Sequence, residues 1–408
     1  MYLDLQSVSG NTWITLAFPI IALVIVVGLF IATIFTVFYH RILYIKKIRP
    51  SFDALYQPRC SIILPCKGVP QNFENNIRSF FHLDYPSYEI IFTVEREDDP
   101  CVPIIKKVMQ DEPGAHLAVA GITTSCSQKN HNMIAALDVA DNPEVYVFAD
   151  SDITLSSDWL KELVLPLSSN KIAVSSGFRW LYSTNSAIGA MVNSYQNSLL
   201  LVLFSAASFL QDIGLWGGSM AMRKSDFDEL GVREYWAQTV VDDMSLSRLI
   251  MKHAKKSIMV STCITPTDDT LPTIKQSIQW FQRQVMFLKA YQRKTWLIAI
   301  LLVLSCLTLQ MLLPVSLIVS SITSKTFVQA GGIPSLIFIF GTMATTIFYP
   351  LLGKHPKLFR MLLLQPISIT TVLVSTVKTL FTNTVKWSGF RYKLNFRGEV
   401  ISVEQSIS

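Results

Sequence analysis

Three pairs of carboxylates stand out along the chain: Asp98 with Asp99, Asp150 with Asp152, and Asp242 with Asp243. Asp150 and Asp152 close the stretch VYVFADSDIT (145–154), where an apolar, β-rich run ends abruptly in two acids one residue apart. Asp and Ser are ordinary turn formers, so a plain strand end is one reading. The other is chemical: paired carboxylates at the C-terminal end of a strand hold a divalent cation, and the cation holds a phosphate. Asp98-Asp99 follows the apolar run YEIIFTVE (88–95). Asp242-Asp243 opens the helical pattern VVDDMSLSRLI, where acids also suit the helix dipole. Each pair alone has a structural reading. Together, beyond the carboxyl ends of strands in one sheet, they point to a site.

The elements that must position these acids read as strands alternating with helices. CSIILP (60–65), YEIIFTVE, HLAVAG (116–121), VYVFAD (145–150) and IAVSSG (172–177) are strand candidates. NFENNIRSFFHL, IIKKVMQD, NHNMIAALDVA and DWLKELVLPLS carry helical spacing between them. That alternation predicts a doubly wound, mostly parallel α/β sheet of Rossmann-like type. Neither GxGxxG nor GxxxxGK[ST] occurs, so a bound nucleotide would need a metal for much of its phosphate contact. Gly217 and Gly218, before SMAMR, read either as a simple turn or as a close approach of backbone to ligand.

The remaining composition is that of a membrane protein. Of 408 residues, 50% are hydrophobic and 16% charged, and the mean hydropathy of +0.38 exceeds that of soluble domains. Trp13–Tyr39, Trp296–Ser324 and Thr326–Gly353 carry no charge, and each exceeds the roughly 20 residues that cross a bilayer core. The first lacks a charged n-region and runs into HRILYIKKIRP, which reads as a retained anchor rather than a signal peptide. Arg41, Lys46, Lys47 and Arg49 follow that anchor, whereas the first twelve residues carry only Asp4. The positive-inside rule therefore places the central domain on the cytoplasmic face, of a bacterial inner membrane or of Golgi or ER in a eukaryote. The net charge of +6 clusters beside the apolar segments, which suits lipid headgroups and not nucleic acid.

The organisation expected is an anchor with basic flank (1–50), a cytoplasmic α/β domain with interfacial helices (51–295), transmembrane or re-entrant helices (296–384) and a cytoplasmic tail (385–408). Met361–Val377 is a doubtful span, because crossing there would put Lys386, Arg391, Lys393 and Arg397 outside. It is expected to re-enter or lie along the interface, leaving the tail beside the catalytic domain. The six cysteines form no CxxC pair and are expected to be free thiols. The six histidines are scattered without metal-ligand spacing; His131, beside Lys129, is the one plausible contact.

The order ILPCKG, LDYPSYEIIFTVEREDDP, FADSD, GGSMAMRKSDF and VVDDMSLSRLI, with VKWSGFRYKL near the end, resembles the membrane-bound inverting glycosyltransferases of ceramide glucosyltransferase type. The resemblance covers about residues 58–295 and the tail. It implies a GT-A fold, a UDP-sugar donor, Mn2+ or Mg2+ and a membrane lipid acceptor. Matched residue by residue, it places Asp99, with Asp98, near the uridine. Asp150 and Asp152 become the metal pair, with Lys129 and Asn132 (a Lys-x-x-Asn element) near the donor. Asp243, with Asp242 beside it, takes the place of the catalytic base. The family's (Q/R)xxRW motif is altered: QSIQWFQRQVMF supplies Trp280, Arg283 and Gln284 in the order Trp-x-x-Arg-Gln. That departure argues against a processive polysaccharide synthase, in which the motif's tryptophan supports the growing chain.

The chemistry so implied is consistent with the residue types. A metal on Asp150 and Asp152 neutralises the leaving diphosphate, a carboxylate at 243 accepts the acceptor's proton, and Arg283 grips phosphate in a fork. A single base without covalent intermediate gives inversion, so an α-linked donor yields a β-glycoside. Glucose and ceramide are the favoured sugar and acceptor. Other lipids (diacylglycerol, a sterol, a hopanoid-type lipid) are the alternative within the class, and a catalytically silent membrane scaffold is the alternative outside it.

Overall fold

The computed structural model describes residues 10–184, 187–209, 214–328, 331–353 and 357–405, with side chains from residue 17 onward except 207–209. Asp4 therefore lies outside the described residues. Helix α1 (Gly10–Phe38) continues without a break as a π-helical segment, Tyr39–Ile48, which carries the basic flank. The central domain then alternates: β1 (Cys60–Pro65), α2 (Phe73–Ser79), β2 (Tyr88–Val94), α3 (Val102–Asp111), β3 (Ala115–Val119), α4 (Gln128–Leu137), β4 (Val145–Ala149), α5 (Trp159–Val164) and β5 (Ile172–Tyr182). A long helix α6 (Ile188–Phe209) precedes β6 (Ser219–Arg223), α7 (Lys224–Glu229), α8 (Val232–Trp236), α9 (Asp243–Lys252) and β7 (Lys256–Asp268). Four helices follow, α10 (Ile274–Tyr291), α11 (Arg293–Ile322), α12 (Ile333–Thr346) and α13 (Leu358–Leu380), and then the tail strands β8 (Thr384–Trp387), β9 (Phe390–Leu394) and β10 (Val400–Gln405).

The seven-stranded sheet has the order β3-β2-β1-β4-β6-β5-β7, parallel except for β6, which runs antiparallel to β4 and to β5. The central strands are buried on both faces, as their near-continuous apolar runs require; β4 is buried at all five positions. Three strands of this sheet depart from the sequence reading, and β7 was not read as a strand at all. β6, the SMAMR stretch after Gly217 and Gly218, was given no strand, yet it pairs Ala149 with Ser219 through Val145 with Arg223. β5 runs past Gly177 to Tyr182, pairing there with β7, and this extension brings Arg179 into the sheet.

Among the described residues, four helical segments are long and apolar enough to cross a membrane: Ala17–Ser51, Arg293–Ile322, Ile333–Leu351 and Leu358–Leu380. Between them and the sheet lie α6 and α10. The start of α10 is fixed by a capping box in which Thr273 and Gln276 satisfy each other's backbone N–H groups. Helix α13 is tied to the central domain at both ends. Met361 shares a cluster with Trp180 and Tyr195, and Lys289 donates to the carbonyls of Thr379 and Thr382 at 2.7 and 2.8 Å. Lys354 and His355, counted in the basic loop before it, lie outside the described residues.

The tail is docked on the central domain. Tyr392 Oη accepts the Gln128 N–H at 3.0 Å, Arg248 donates to the Arg397 carbonyl at 2.7 Å, and Thr239 bridges to Glu399. A tight turn at Ser388 and Gly389, both at positive φ, reverses the hairpin. Lys67 pins that turn by donating to the Ser388 carbonyl at 2.9 Å.

Candidate active site

The carboxylates converge because β4, β6 and the N-termini of α4 and α9 end at one place. Asp150 and Asp152 leave the C-terminal end of β4, and the Asp150 N–H is held by the Gly218 carbonyl at 3.2 Å. Ser127 caps α4 by accepting the Asn130 N–H. That cap sets Lys129 in the first turn, where its ammonium lies 2.9 Å from Asp150 Oδ1, 3.1 Å from Asp242 Oδ2 and 3.1 Å from the Gly217 carbonyl. Asp243 stands at the start of α9 and accepts the Gly217 N–H at 3.0 Å through Oδ2 and the Met244 N–H at 2.6 Å through Oδ1.

The Trp216-Gly217-Gly218 loop threads between these acids. A Cβ at Gly217 would collide with the Asp242 carboxylate, and one at Gly218 with Trp216 and Asp150. Close approach, and not a simple turn, is the reason for both glycines. The electrostatics follow from the packing. Burial, then the neighbouring Asp242, pushes Asp243 up to about 7, against the opposing pull of the Gly217 N–H and Lys129. At Asp150 burial acts upward, but Lys129 and Arg179 together outweigh it and hold the carboxyl below its usual range. Arg283 is pushed down to about 10 by burial and by the nearby Arg179.

The charged groups among these line one cavity of about 850 Å³. Lys129, Asn132, Asp150, Asp152, Asp242, Asp243, Trp280, Arg283 and Gln284, chosen from the sequence, border it. Asp98 and Asp99 do not: Asp98 is exposed, and Asp99 accepts the N–H groups of Gly68 and Cys101 at 2.9 and 3.0 Å, tying the loop after β1 to the start of α3. His131 contacts the Ala120 carbonyl at 2.9 Å and is no part of the lining. All six cysteines are free thiols, five of them buried.

Asp150 and Asp152 are hard oxygen donors facing a cavity, which fits magnesium or manganese. Among the described residues no group of three or more His, Cys, Asp or Glu could hold a metal alone, so donor phosphate oxygens and water would complete the shell.

The sequence profile of glycosyl transferase family 21 matches residues 20–400. The chain belongs to glycosyl transferase family 21. Ceramide glucosyltransferase 1 of Caenorhabditis elegans is 23% identical over 230 residues, 53% of this chain and 49% of that protein. Ceramide glucosyltransferase 3 of the same organism is 27% identical over 207 residues, 50% of this chain and 45% of that protein. The family 21 chain thus spans about half the length of the curated relatives it matches. Among solved structures, the mannosyltransferase PcManGT of Pyrobaculum calidifontis, in complex with GDP-Man and Mn2+, is similar in fold. Its TM-score is 0.52 at 16% identity, covering 89% of this chain and 98% of that one. The sheet is that of a GT-A glycosyltransferase.

Two groups in this family 21 site escaped the sequence reading. Arg179 bonds Asp150 Oδ2 at 3.0 Å and also Asp152, and lies 5.2 Å from the Trp216 ring. An arginine inside GFRWLY was the available signal, because a cation within a buried strand needs a partner. Gln128 is the second: its Nε2 bridges the Gly121 carbonyl and Asn132 Oδ1, both at 2.8 Å. From the tail, Trp387 and Ser388 also reach the cavity, with the Arg283 guanidinium 5.8 Å from the Trp387 ring.

Proposed function

We propose that this chain transfers glucose from UDP-glucose to the hydroxyl of a membrane lipid, ceramide in the first instance, with inversion at the anomeric carbon. The observation that carries this reading is the continuity of the cavity. Its lining holds both Asp150, Asp152 and Asp243 and Ile25, Leu29, Leu302 and Val372 of the apolar helices. A water-soluble acceptor needs no apolar walls reaching into membrane-type helices; a lipid that presents a hydroxyl at its polar end does.

The residues divide the work by position. Asp243, held up to about 7, is a base poised near neutral pH, fixed by two backbone N–H groups and able to take the acceptor's proton. Lys129 and Arg283 offer positive charge to the donor's diphosphate, and Arg283 has the fork that phosphate prefers. A divalent cation on Asp150 and Asp152 would supply charge neutralisation at the leaving group. Asn132 and Gln128 hold the wall beside the donor. With Asp243 as the single base and no covalent intermediate, an α-linked donor gives a β-linked product. The names of the matched relatives support ceramide as acceptor, and the basic flanks support a cytoplasmic catalytic face. Another lipid is the alternative acceptor.

Filling the apolar part of the cavity tests the route. In Ala299→Trp, transfer to a long-chain lipid should fall at least about tenfold while slow hydrolysis of the UDP-sugar persists. Unchanged lipid transfer would remove the cavity from the acceptor's path.

A further inference from the structure

We propose that Arg179 is the resident counter-cation of Asp150 and Asp152, and that a divalent metal reaches these carboxylates only by displacing it. Proposed here from geometry, this role rests on the glycosyltransferase reading only for the identity of the metal pair.

Both acids are already engaged. The Arg179 guanidinium spans Asp150 and Asp152 from one nitrogen, Nη2. Lys129 takes the other oxygen of Asp150 at 2.9 Å. A metal entering the pair would meet two positive charges within contact distance of its ligands. That repulsion in a half-buried site is worth far more than in water.

The hold on Arg179 is also incomplete. Its Nε is buried without a hydrogen-bond partner, and an unsatisfied charged donor in a cavity wall is costly. Arg283, close enough for Arg179 to depress its pKa, lines the same cavity. Lys129, Arg179 and Arg283 thus face Asp150, Asp152, Asp242 and Asp243 around one space. A divalent cation and the doubly charged diphosphate of a nucleotide sugar together leave the charge of this set unchanged, whereas the diphosphate alone adds to its negative excess and the cation alone reverses its sign. Arg179 therefore couples the two: the diphosphate offers the guanidinium new acceptors as the metal takes its carboxylates. Its backbone anchor in β5 and its stacking on Trp216 keep it within reach in both arrangements.

The test is Mn2+ binding to the purified full-length chain without nucleotide or lipid, read from the electron paramagnetic resonance signal of free Mn2+. Arg179→Gln should bind Mn2+ about tenfold or more tighter than the wild type. Arg179→Lys, which keeps the charge on a shorter side chain without the guanidinium, should gain a smaller factor. Asp152→Asn in the Arg179→Gln background should abolish the gain, assigning the ion to this pair. If Arg179→Gln does not fold, Arg179→Lys carries the test. Mn2+ affinity equal to or weaker than wild type in the folded variants overturns the proposal, as does a gain that survives Asp152→Asn. No acceptor enters the measurement, so failure here leaves the lipid-transfer reading standing, and failure of that reading leaves this one.

Discussion

The peptide N–H of Gly217 donates to Asp243 Oδ2 at 3.0 Å, while the carbonyl of the same residue accepts from the Lys129 ammonium at 3.1 Å. One residue in the loop before β6 thereby sets the distance between the proposed base and the cation bridging Asp150 and Asp242. Nothing larger than glycine fits, because a Cβ would run into the Asp242 carboxylate. Gly217→Ala should retain the fold but misplace Asp243, lowering kcat by about 10²-fold. Steady-state rates beside a thermal melt decide it: a large loss of Tm would make the effect one of folding, and an unchanged kcat would free Asp243 from this loop.

Asp243, raised to about 7 by burial and by Asp242, acts as a base only when ionised. Turnover should therefore climb as pH rises through about 7, and Asp243→Asn should abolish that limb with a drop of about 10²-fold or more. Stability runs the other way. A carboxyl raised in the folded state contributes stability below its unfolded value that is lost as pH rises through the folded one. Asp243→Asn should thus flatten the decline in Tm between about pH 4 and pH 7. A pH–rate profile with no limb near neutrality would assign the base elsewhere, and Asp242 is the first substitute to test.

Asp150 and Asp152 should both be needed for turnover, but their removal should differ in stability. Asp150 is paired with two cations, Lys129 and Arg179, whereas the more exposed Asp152 is paired with Arg179 alone. Asp150→Ala strands buried positive charge and should melt lower than Asp152→Ala. Differential scanning calorimetry compares them; equal melting points would mean that Asp242 and solvent satisfy Lys129 unaided.

The tail hairpin closes one wall of the cavity, with Trp387 beside Arg283 and also packed on Phe287 at 5.9 Å. Trp387→Ala should leave membrane insertion intact and reduce kcat/KM by about tenfold. Flotation with liposomes and initial rates are sufficient to check it; wild-type kinetics would make the hairpin a structural appendage.

Much of the site was legible before the fold because it lies at strand ends. The apolar runs of β1, β2 and β4 are buried almost throughout, so their pattern was strong, and the acids that follow β2 and β4 were conspicuous. Membrane-type helices announced themselves by length and absence of charge. Hidden were the elements whose character is tertiary. β6 is five residues long and takes its strand form from β4 and β5 on either side. β7, KSIMVSTCITPTD, is a polar, Pro-containing edge strand with little alternation to betray it. Arg179 sits in the part of β5 that pairs only with β7, and its role depends on aspartates 27 and 29 residues away. Asp99 shows the converse: a conspicuous acid whose carboxylate is engaged with backbone N–H groups.

The linkage of the sugar in the lipid product tests the central claim most directly. The purified chain, incubated in vesicles with ceramide, Mn2+ and UDP-glucose carrying 13C at the anomeric carbon, should convert the label into a lipid-extractable glucoside. Its one-bond carbon–proton coupling should be that of a β-linkage. Label recovered only as free glucose, or in an α-linked glycolipid, would contradict single-displacement transfer to a membrane lipid by the Asp243 carboxylate.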